Sequence, residues 1–423
     1  MNQVAEPLRV AFISVHGDPD AIIGGEEAGG QNVYVRQVGE ALARQGWQVD
    51  MFARWTDPRS PQIVEHMGGC CRTIRLPAGP IEAISRQQGF EYLEEFVAQW
   101  REFARSQGPY ALVHSHYWLS GWVGLKIQTC WGLPLVHTYH SLGAVKYRAV
   151  EAVPEIAATR LQVERACLEE AHCVVATSPQ ERELLRSLVS AEGHIETIPC
   201  GTDVTRFGRW TRAEARAQLG IDPNAAVVAY IGRFDPRKGI EVLVRAAAQL
   251  RQQEEFGDRL LVLIGGGSTP GRSDGDERER IEKLVVELNL TEQVQFTGRI
   301  SDDDLPAYYA AADICAVPSF YEPFGLVAIE AMASGTPVVA SNVGGLQFTV
   351  VPEETGLLVP PKDELALVRA IARILQDPDW GQRLGANGRA RVAAKFAWDG
   401  VARQLGELYR DLLQARSRNM QGV

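Results

Sequence analysis

Long apolar runs are missing: no segment reaches the roughly 18 consecutive apolar residues that a bilayer-crossing helix needs. The first residues, Met-Asn-Gln-Val-Ala-Glu-Pro, lack the basic and apolar regions of a secretory leader. A cytoplasmic protein with no membrane partner is expected. Cysteine is sparse and unpatterned, with seven residues at 70, 71, 130, 167, 173, 200 and 315. There is no Cys-x-x-Cys pair and no Cys/His spacing suited to zinc, so reduced thiols in core or strand positions are expected. Positive charge is in deficit: 43 Lys and Arg against 53 Asp and Glu give a formal net charge of −10. That balance argues against nucleic acid or an anionic membrane as the main partner. Repeats and low-complexity segments are absent as well.

What is present is a chain of 423 residues, 45% hydrophobic, with room for two domains of about 200 residues each. Short apolar runs alternate with amphipathic segments. Leu8-Arg-Val-Ala-Phe-Ile-Ser14, 48–53, 71–76, Tyr110-Ala-Leu-Val-His-Ser-His116, 134–138, 173–177 and 195–199 read as strands. Helices fall between them, at 92–106, 120–130 and 154–171. The rhythm resumes with strands at 227–231, 260–264, 294–297, 313–317, 337–340 and 356–359. Strands alternating with helices imply α/β domains with mainly parallel, doubly wound sheets. Domains are expected at 1–205 and 206–395, with a linker near 200–210. A last helix at 396–423 is expected to cross back to the first domain, with a frayed tail from 417.

The most informative stretch is 318–335, Pro-Ser-Phe-Tyr-Glu-Pro-Phe-Gly-Leu-Val-Ala-Ile-Glu-Ala-Met-Ala-Ser-Gly. A strand ends in a Pro/Gly turn, and a helix is predicted over 326–334. Free N–H groups around Phe324, Gly325 and Leu326, with the helix dipole behind them, suit an anion such as a diphosphate. Glu322 in the turn and Glu330 on the helix are placed to accept hydroxyl protons. The plainer alternative is that Glu322 complements the dipole and Glu330 is solvated. The apolar residues around Glu330 argue instead for a buried carboxylate that must be satisfied.

Other loops point the same way, each with a structural alternative. Gly29 and Gly30 open a helix after the first strand, where a tight turn or close backbone approach to a ligand both fit. Arg233 and Lys238, in the loop Gly232-Arg-Phe-Asp-Pro-Arg-Lys-Gly239, suit a phosphate clamp or plain surface charge. The Gly265-Gly-Gly267 run lacks a following Gly-Lys-Ser/Thr and reads as a turn at an interdomain cleft, with a polar loop continuing to 279. Ser301-Asp-Asp-Asp304 reads as a helix cap rather than a cation site. His114 and His116 share a strand face, as a metal pair would, but no third ligand stands near them in sequence.

These strings resemble the retaining glycosyltransferases of family 4. The resemblance rests on Glu322-Pro-Phe-Gly-Leu-Val-Ala-Ile-Glu330, the loop from Gly232 and the Gly29-Gly-Gln31 loop, and it covers nearly the whole chain. It implies the GT-B architecture, two facing Rossmann-like domains with a cleft between them. By that resemblance Arg233 and Lys238 grip the donor diphosphate, and Glu330 holds the ribose. Glu322 with the backbone of Phe324, Gly325 and Leu326 holds the donor sugar and phosphate. Gly29, Gly30 and Gln31 line the donor side with Gly30 at the reacting centre, His140 reaches the donor sugar near its 6-hydroxyl, and the Ile300 backbone reads the uracil.

Within the family, Ala28-Gly-Gly-Gln-Asn-Val-Tyr-Val, His114-Ser-His-Tyr-Trp-Leu-Ser-Gly and His140-Ser-Leu-Gly143 are most similar to the sucrose-phosphate synthases. The first two are shared with the actinobacterial glycosyltransferase that acts on inositol phosphate. The resemblance implies UDP-glucose and fructose 6-phosphate as substrates, with a separate phosphatase to release sucrose. Arg86, Lys146, Arg148 and Arg160, read as first-domain loop cations, fit an acceptor-phosphate pocket on charge grounds, with Tyr117 beside them by motif match. No carboxylate nucleophile is evident on the acceptor side. Front-face attack, with the leaving diphosphate taking the acceptor proton in a site closed to water, is therefore expected, and no metal cofactor. Sucrose synthase, an α-glucan synthase and a catalytically silent sugar-sensing protein are the rival readings.

Overall fold

A computed structural model describes residues 7–21, 29–149, 153–268, 271 and 273–421. Residues 22–28, with Ala28 of the glycine-rich string, lie outside the described residues. The chain divides into two compact units, one formed by Met1–Pro199 with Trp398–Val423 and the other by Cys200–Ala397.

The first unit carries eight strands: β1 (Arg9–Ile13), β2 (Gln48–Arg54), β3 (Ile63–His66), β4 (Cys71–Leu76), β5 (Leu112–His116), β6 (Leu135–Thr138), β7 (Cys173–Ala176) and β8 (Ile195–Thr197). Their order is β3-β4-β2-β1-β5-β6-β7-β8. Every neighbouring pair is parallel except β3 and β4. Val10 through Ile13 are wholly buried, as strands covered on both faces require. β3 has no counterpart in the sequence reading: Ile-Val-Glu-His is short and half-exposed at a sheet edge. After β1 the chain builds the sheet outward on one side through β2, and only later adds β5 on the other, so the order reverses between β1 and β5.

The second unit carries six: β9 (Ala226–Ile231), β10 (Leu260–Gly265), β11 (Val294–Gly298), β12 (Ile314–Val317), β13 (Val338–Ser341) and β14 (Gly356–Val359). All pairs are parallel, in the order β11-β10-β9-β12-β13-β14, and the reversal falls between β9 and β12. In open α/β sheets the crevice at such a reversal, beyond the carboxyl ends of the strands, is where ligands bind. Tyr117 follows β5, Arg233 and Lys238 follow β9, and Glu322, Phe324 and Gly325 follow β12, whereas His140 follows β6 and Ile300 follows β11.

Two sequence expectations are corrected. Residues to 279 do not form a loop, because Ser273–Glu287 is a helix whose first turn carries Asp274 and Asp276, where acids complement the dipole. The final helix, Trp398–Gln421, continues past 417. It packs within the first unit, where the buried Tyr409 hydroxyl hydrogen-bonds His114 Nδ1 at 2.6 Å and its ring meets Trp47 edge-on. Among the described residues no helix is long and apolar enough to cross a membrane.

Backbone crowding at the second reversal makes one glycine indispensable. Gly239 sits at φ +69°, and a Cβ there would lie 2.1 Å from the Pro318 carbonyl oxygen. Gly239→Ala is expected to lower stability by about 2 kcal/mol or more. A urea midpoint followed by circular dichroism checks this, and an unchanged midpoint would refute it.

Candidate functional site

In the second unit the turn between β12 and the helix Leu326–Ala333 is shaped by glycine. Gly325 adopts φ +95°, a conformation costly for other residues, and starts the helix with its carbonyl accepting from Ala328 N–H. Gly345 donates its N–H to the Glu322 carbonyl at 3.0 Å, and Gly345 passes so close to Phe324 Cα that a Cβ would be 2.4 Å away. Among the described residues none of the N–H groups of Phe324, Gly325 and Leu326 donates a hydrogen bond. An anion can therefore take them at the positive end of the helix.

Lys238 lies across this turn, on the loop after β9. Its ammonium pairs with Glu322 Oε2 at 2.6 Å, with the side chains 23% and 13% exposed. The sequence reading gave the two groups separate partners; here each is the other's. An ammonium has three N–H bonds, so Lys238 can keep Glu322 and still offer protons to a phosphate. Arg237 is taken by Asp235 at 3.0 Å. Arg233 is exposed, and among the described residues no ion pair engages it. Ile300, after β11, is half-buried against Gly265, where a Cβ would lie 2.5 Å from Ile300 Cδ1. A Cβ on Gly266 would likewise lie 2.0 Å from the Gly232 carbonyl oxygen. The glycine run thus serves close packing of three strand-end loops.

Glu330, expected from its apolar neighbours to be a buried carboxylate, is half-buried, and it is satisfied. Tyr309 donates its hydroxyl to Glu330 Oε2 at 2.9 Å, and Thr336 Oγ1 donates to the Tyr309 carbonyl at 2.7 Å. Burial pushes the Glu330 carboxyl up to about 7, against the opposing hydrogen bond from Tyr309 and the nearby Arg206 charge.

The first unit gathers a second set of groups. Gln31 donates to Ser14 Oγ at 3.0 Å and more weakly to the His116 carbonyl, tying the start of the helix Gly30–Arg44 to the ends of β1 and β5. Gly29 and Gly30 are exposed, and nothing lies within 4 Å of a Cβ placed on Gly29. Asp18 and Asp20 are strapped to Arg75 of β4 at 2.6 and 3.0 Å, which fixes the path of the loop after β1. His16 on that loop packs tilted against Tyr117 with ring centroids 4.3 Å apart. Burial, with the charges of Arg86, His140 and Arg160, lowers its pKa well below the usual histidine value.

Tyr117 and His140 both take left-handed backbone conformations, φ +75° and +57°. Such strain in non-glycine residues concentrates at functional sites. The His140 Nε2 and His116 Nδ1 atoms are 3.1 Å apart, and burial pushes His140 down to about 3, so its ring is neutral near pH 7. His114, weighed above as half of a metal pair, is committed to Tyr409 and to Thr138 Oγ1 at 2.8 Å.

Arg160 is not a loop residue. It lies on the helix Ala157–Glu170, 2% exposed, with Nε on Glu164 Oε1 at 2.7 Å, Nη1 on the Tyr117 hydroxyl at 3.1 Å and Nη2 on the Ser141 carbonyl at 2.8 Å. Arg86, first residue of the helix Arg86–Glu91, is exposed with its guanidinium 5.5 Å from the Tyr117 ring centroid. Lys146 ends the short helix Gly143–Lys146, and Arg148 is exposed on the turn Tyr147–Ala149. So Arg86, Tyr117 and Arg160 come together, joined by His16, which sequence reasoning passed over. Its only signal was its place in the loop after the first strand.

The Glu330 shift has a sign. A carboxyl whose folded pKa lies above its unfolded value binds more protons when folded, so its contribution to stability falls as pH rises from about 4.5 to about 7. Glu330→Gln is therefore expected to gain thermal stability relative to the parent protein at pH 7.5 but much less at pH 5. Melting temperatures at the two pH values decide it, and an equal difference at both would refute the assignment.

Residues 29–201 match the glycosyl transferase 4-like domain, and residues 211–391 match the glycosyl transferases group 1. The D-inositol 3-phosphate glycosyltransferase of Corynebacterium efficiens is 38% identical over 96% of this chain and 96% of its own. That of Nocardia farcinica is 40% identical over 95% of this chain and 89% of its own. Among solved structures, a sucrose-phosphate synthase from Thermosynechococcus elongatus superposes with a TM-score of 0.87 at 55% identity, over 96% of this chain and all of its own. With both units so matched along nearly their whole length, the chain belongs to the family 4 glycosyltransferases of GT-B fold and is a retaining hexosyltransferase.

Proposed function

We propose that this enzyme transfers glucose from UDP-glucose to fructose 6-phosphate, giving sucrose 6-phosphate and UDP. The observation that carries the reading is the 55% identity to the Thermosynechococcus elongatus sucrose-phosphate synthase over 96% of the chain. The cluster of Arg86, Tyr117, Arg160 and His16 supports a phosphorylated acceptor, since guanidinium and phenol groups match phosphate oxygens. A separate phosphatase would then release sucrose.

In this reading the acceptor hydroxyl oxygen attacks the glucose anomeric carbon on the face the diphosphate leaves. The bond to the diphosphate breaks, and its departing oxygen takes the hydroxyl proton. Charge growing on that oxygen is met by Arg233, by Lys238 and by the free N–H groups at 324–326. These groups supply the neutralisation that a divalent cation gives elsewhere, so the mechanism needs no metal. Glu330 accepts from the ribose, Glu322 accepts from donor-sugar hydroxyls, and the Ile300 backbone meets the base. The neutral His140 ring hydrogen-bonds the transferred sugar, with Gly29, Gly30 and Gln31 beside it. Lys146 and Arg148 add positive charge near the acceptor phosphate.

A second reading, transfer to an inositol phosphate, is favoured by the names of the curated relatives at 38 to 40% identity. Product analysis with UDP-glucose, offering fructose 6-phosphate, fructose and inositol phosphate in parallel with and without magnesium, separates the two. A disaccharide phosphate from fructose 6-phosphate, formed without magnesium, is the expected result; turnover confined to inositol phosphate would replace the acceptor. Arg86→Ala is expected to raise KM for the phosphorylated acceptor roughly tenfold, the loss of one charge-assisted contact. KM for UDP-glucose should stay put. Lys238→Ala should instead depress kcat far more than acceptor binding, and equal losses would count against its role at the diphosphate.

A further inference from the structure

Between β6 and the helix Ala157–Glu170 the chain makes a tight turn, 139–143, that carries His140 in its left-handed conformation. The turn is tied down at alternate residues. The Tyr139 hydroxyl donates to the Glu164 carbonyl at 2.5 Å, the Ser141 carbonyl accepts from Arg160 Nη2 at 2.8 Å, and the Gly143 N–H donates to the Glu164 carboxylate at 2.9 and 3.0 Å. All three ties end on Arg160 and Glu164, one helical turn apart and paired with each other at 2.7 Å. Glu164 is wholly buried. Gly143 is part of the same fit: a Cβ there would lie 2.9 Å from Arg160 Nε and 3.0 Å from Glu164 Oε2.

A buried ion pair is a poor source of stability, because withdrawing both charges from water offsets their attraction. Two apolar residues would fill this space at less cost. What they would not do is direct a guanidinium at Tyr117 and hold a strained turn from the same helix. We infer that Glu164 is a positioning residue for acceptor recognition: its carboxylate orients Arg160 toward Tyr117 and fixes the turn that presents His140. Glu164 itself touches neither substrate. Without its charge, Arg160 loses the partner that sets its orientation, and both the Tyr117 hydroxyl and the Ser141 carbonyl lose a fixed donor.

The inference rests on the proposed use of a phosphorylated acceptor, so the parent enzyme is assayed first with fructose 6-phosphate and with inositol phosphate. Glu164→Gln, close in shape but uncharged, is then measured with whichever is used. KM for the acceptor is expected to rise at least fivefold and kcat to fall, while KM for UDP-glucose stays within twofold; Glu164→Asp should recover part of the loss. Gly143→Ala, which presses a methyl group against the pair without removing its charge, should give the same pattern more mildly and serves if the Gln variant does not fold. If the parent turns over neither acceptor, the proposed function fails. The inference is then read from the calorimetric affinity for inorganic phosphate, which the Gln variant should weaken by a similar factor. An unchanged acceptor KM, or an unchanged phosphate affinity, in a folded variant would overturn it. So would a rise in KM for UDP-glucose equal to that for the acceptor. Failure of both variants to fold would overturn it as well, by making the pair a support of the unit rather than of the turn.

Discussion

Parallel strands cannot be joined by a tight turn. Each must be followed by a crossover that returns the chain to the starting edge, so every strand in both sheets, the β3 edge aside, delivers its loop to the same side. Where the strand order reverses, two such loops diverge and leave room between them. β1 and β5 make one such place, and β9 and β12 the other. The glycines at 239, 266 and 345 are consequences of that crowding, since each lets one strand-end loop touch the backbone of another.

Polar groups brought to these edges come partly buried, and each is balanced by a residue from a different element. Lys238 of one loop answers Glu322 of another, Tyr309 answers Glu330, and Arg75 answers Asp18 and Asp20. Mutual balance keeps the groups oriented in the unliganded protein. At these pairs a ligand enters by sharing partners rather than by meeting bare charge, which limits the desolvation cost of binding.

The strands of both sheets could be read from sequence because strands buried on both faces are near-continuous apolar runs. β3 escaped because only two of its four residues are apolar and most of it lies partly or fully exposed, and the helix Ser273–Glu287 escaped because it begins in Ser-Asp-Gly-Asp, which mimics a loop. The residues expected to hold the donor follow one another along two short strings, so pattern alone singled them out. The first-unit cluster did not have that advantage. Nothing local to Arg160 says that it is buried, because its partners Tyr117 and Ser141 come from elsewhere in the chain. Nor does the sequence mark Tyr117 as strained, a property of the backbone at the end of β5.

The first unit is not one continuous piece of chain. Its sheet is made from the first 199 residues, yet the helix that covers His114 and places Trp398 edge-on to Tyr34 follows the whole of the second unit. On a ribosome the second unit is therefore complete as soon as Ala397 has emerged, whereas the first waits half-assembled, with an apolar face uncovered, for the helix that begins at Trp398. Tyr34 in turn packs edge-on against His140 at 4.9 Å. The His140 surroundings are thus completed only after the whole second unit has been made, and loss of the helix Trp398–Gln421 would be felt there first.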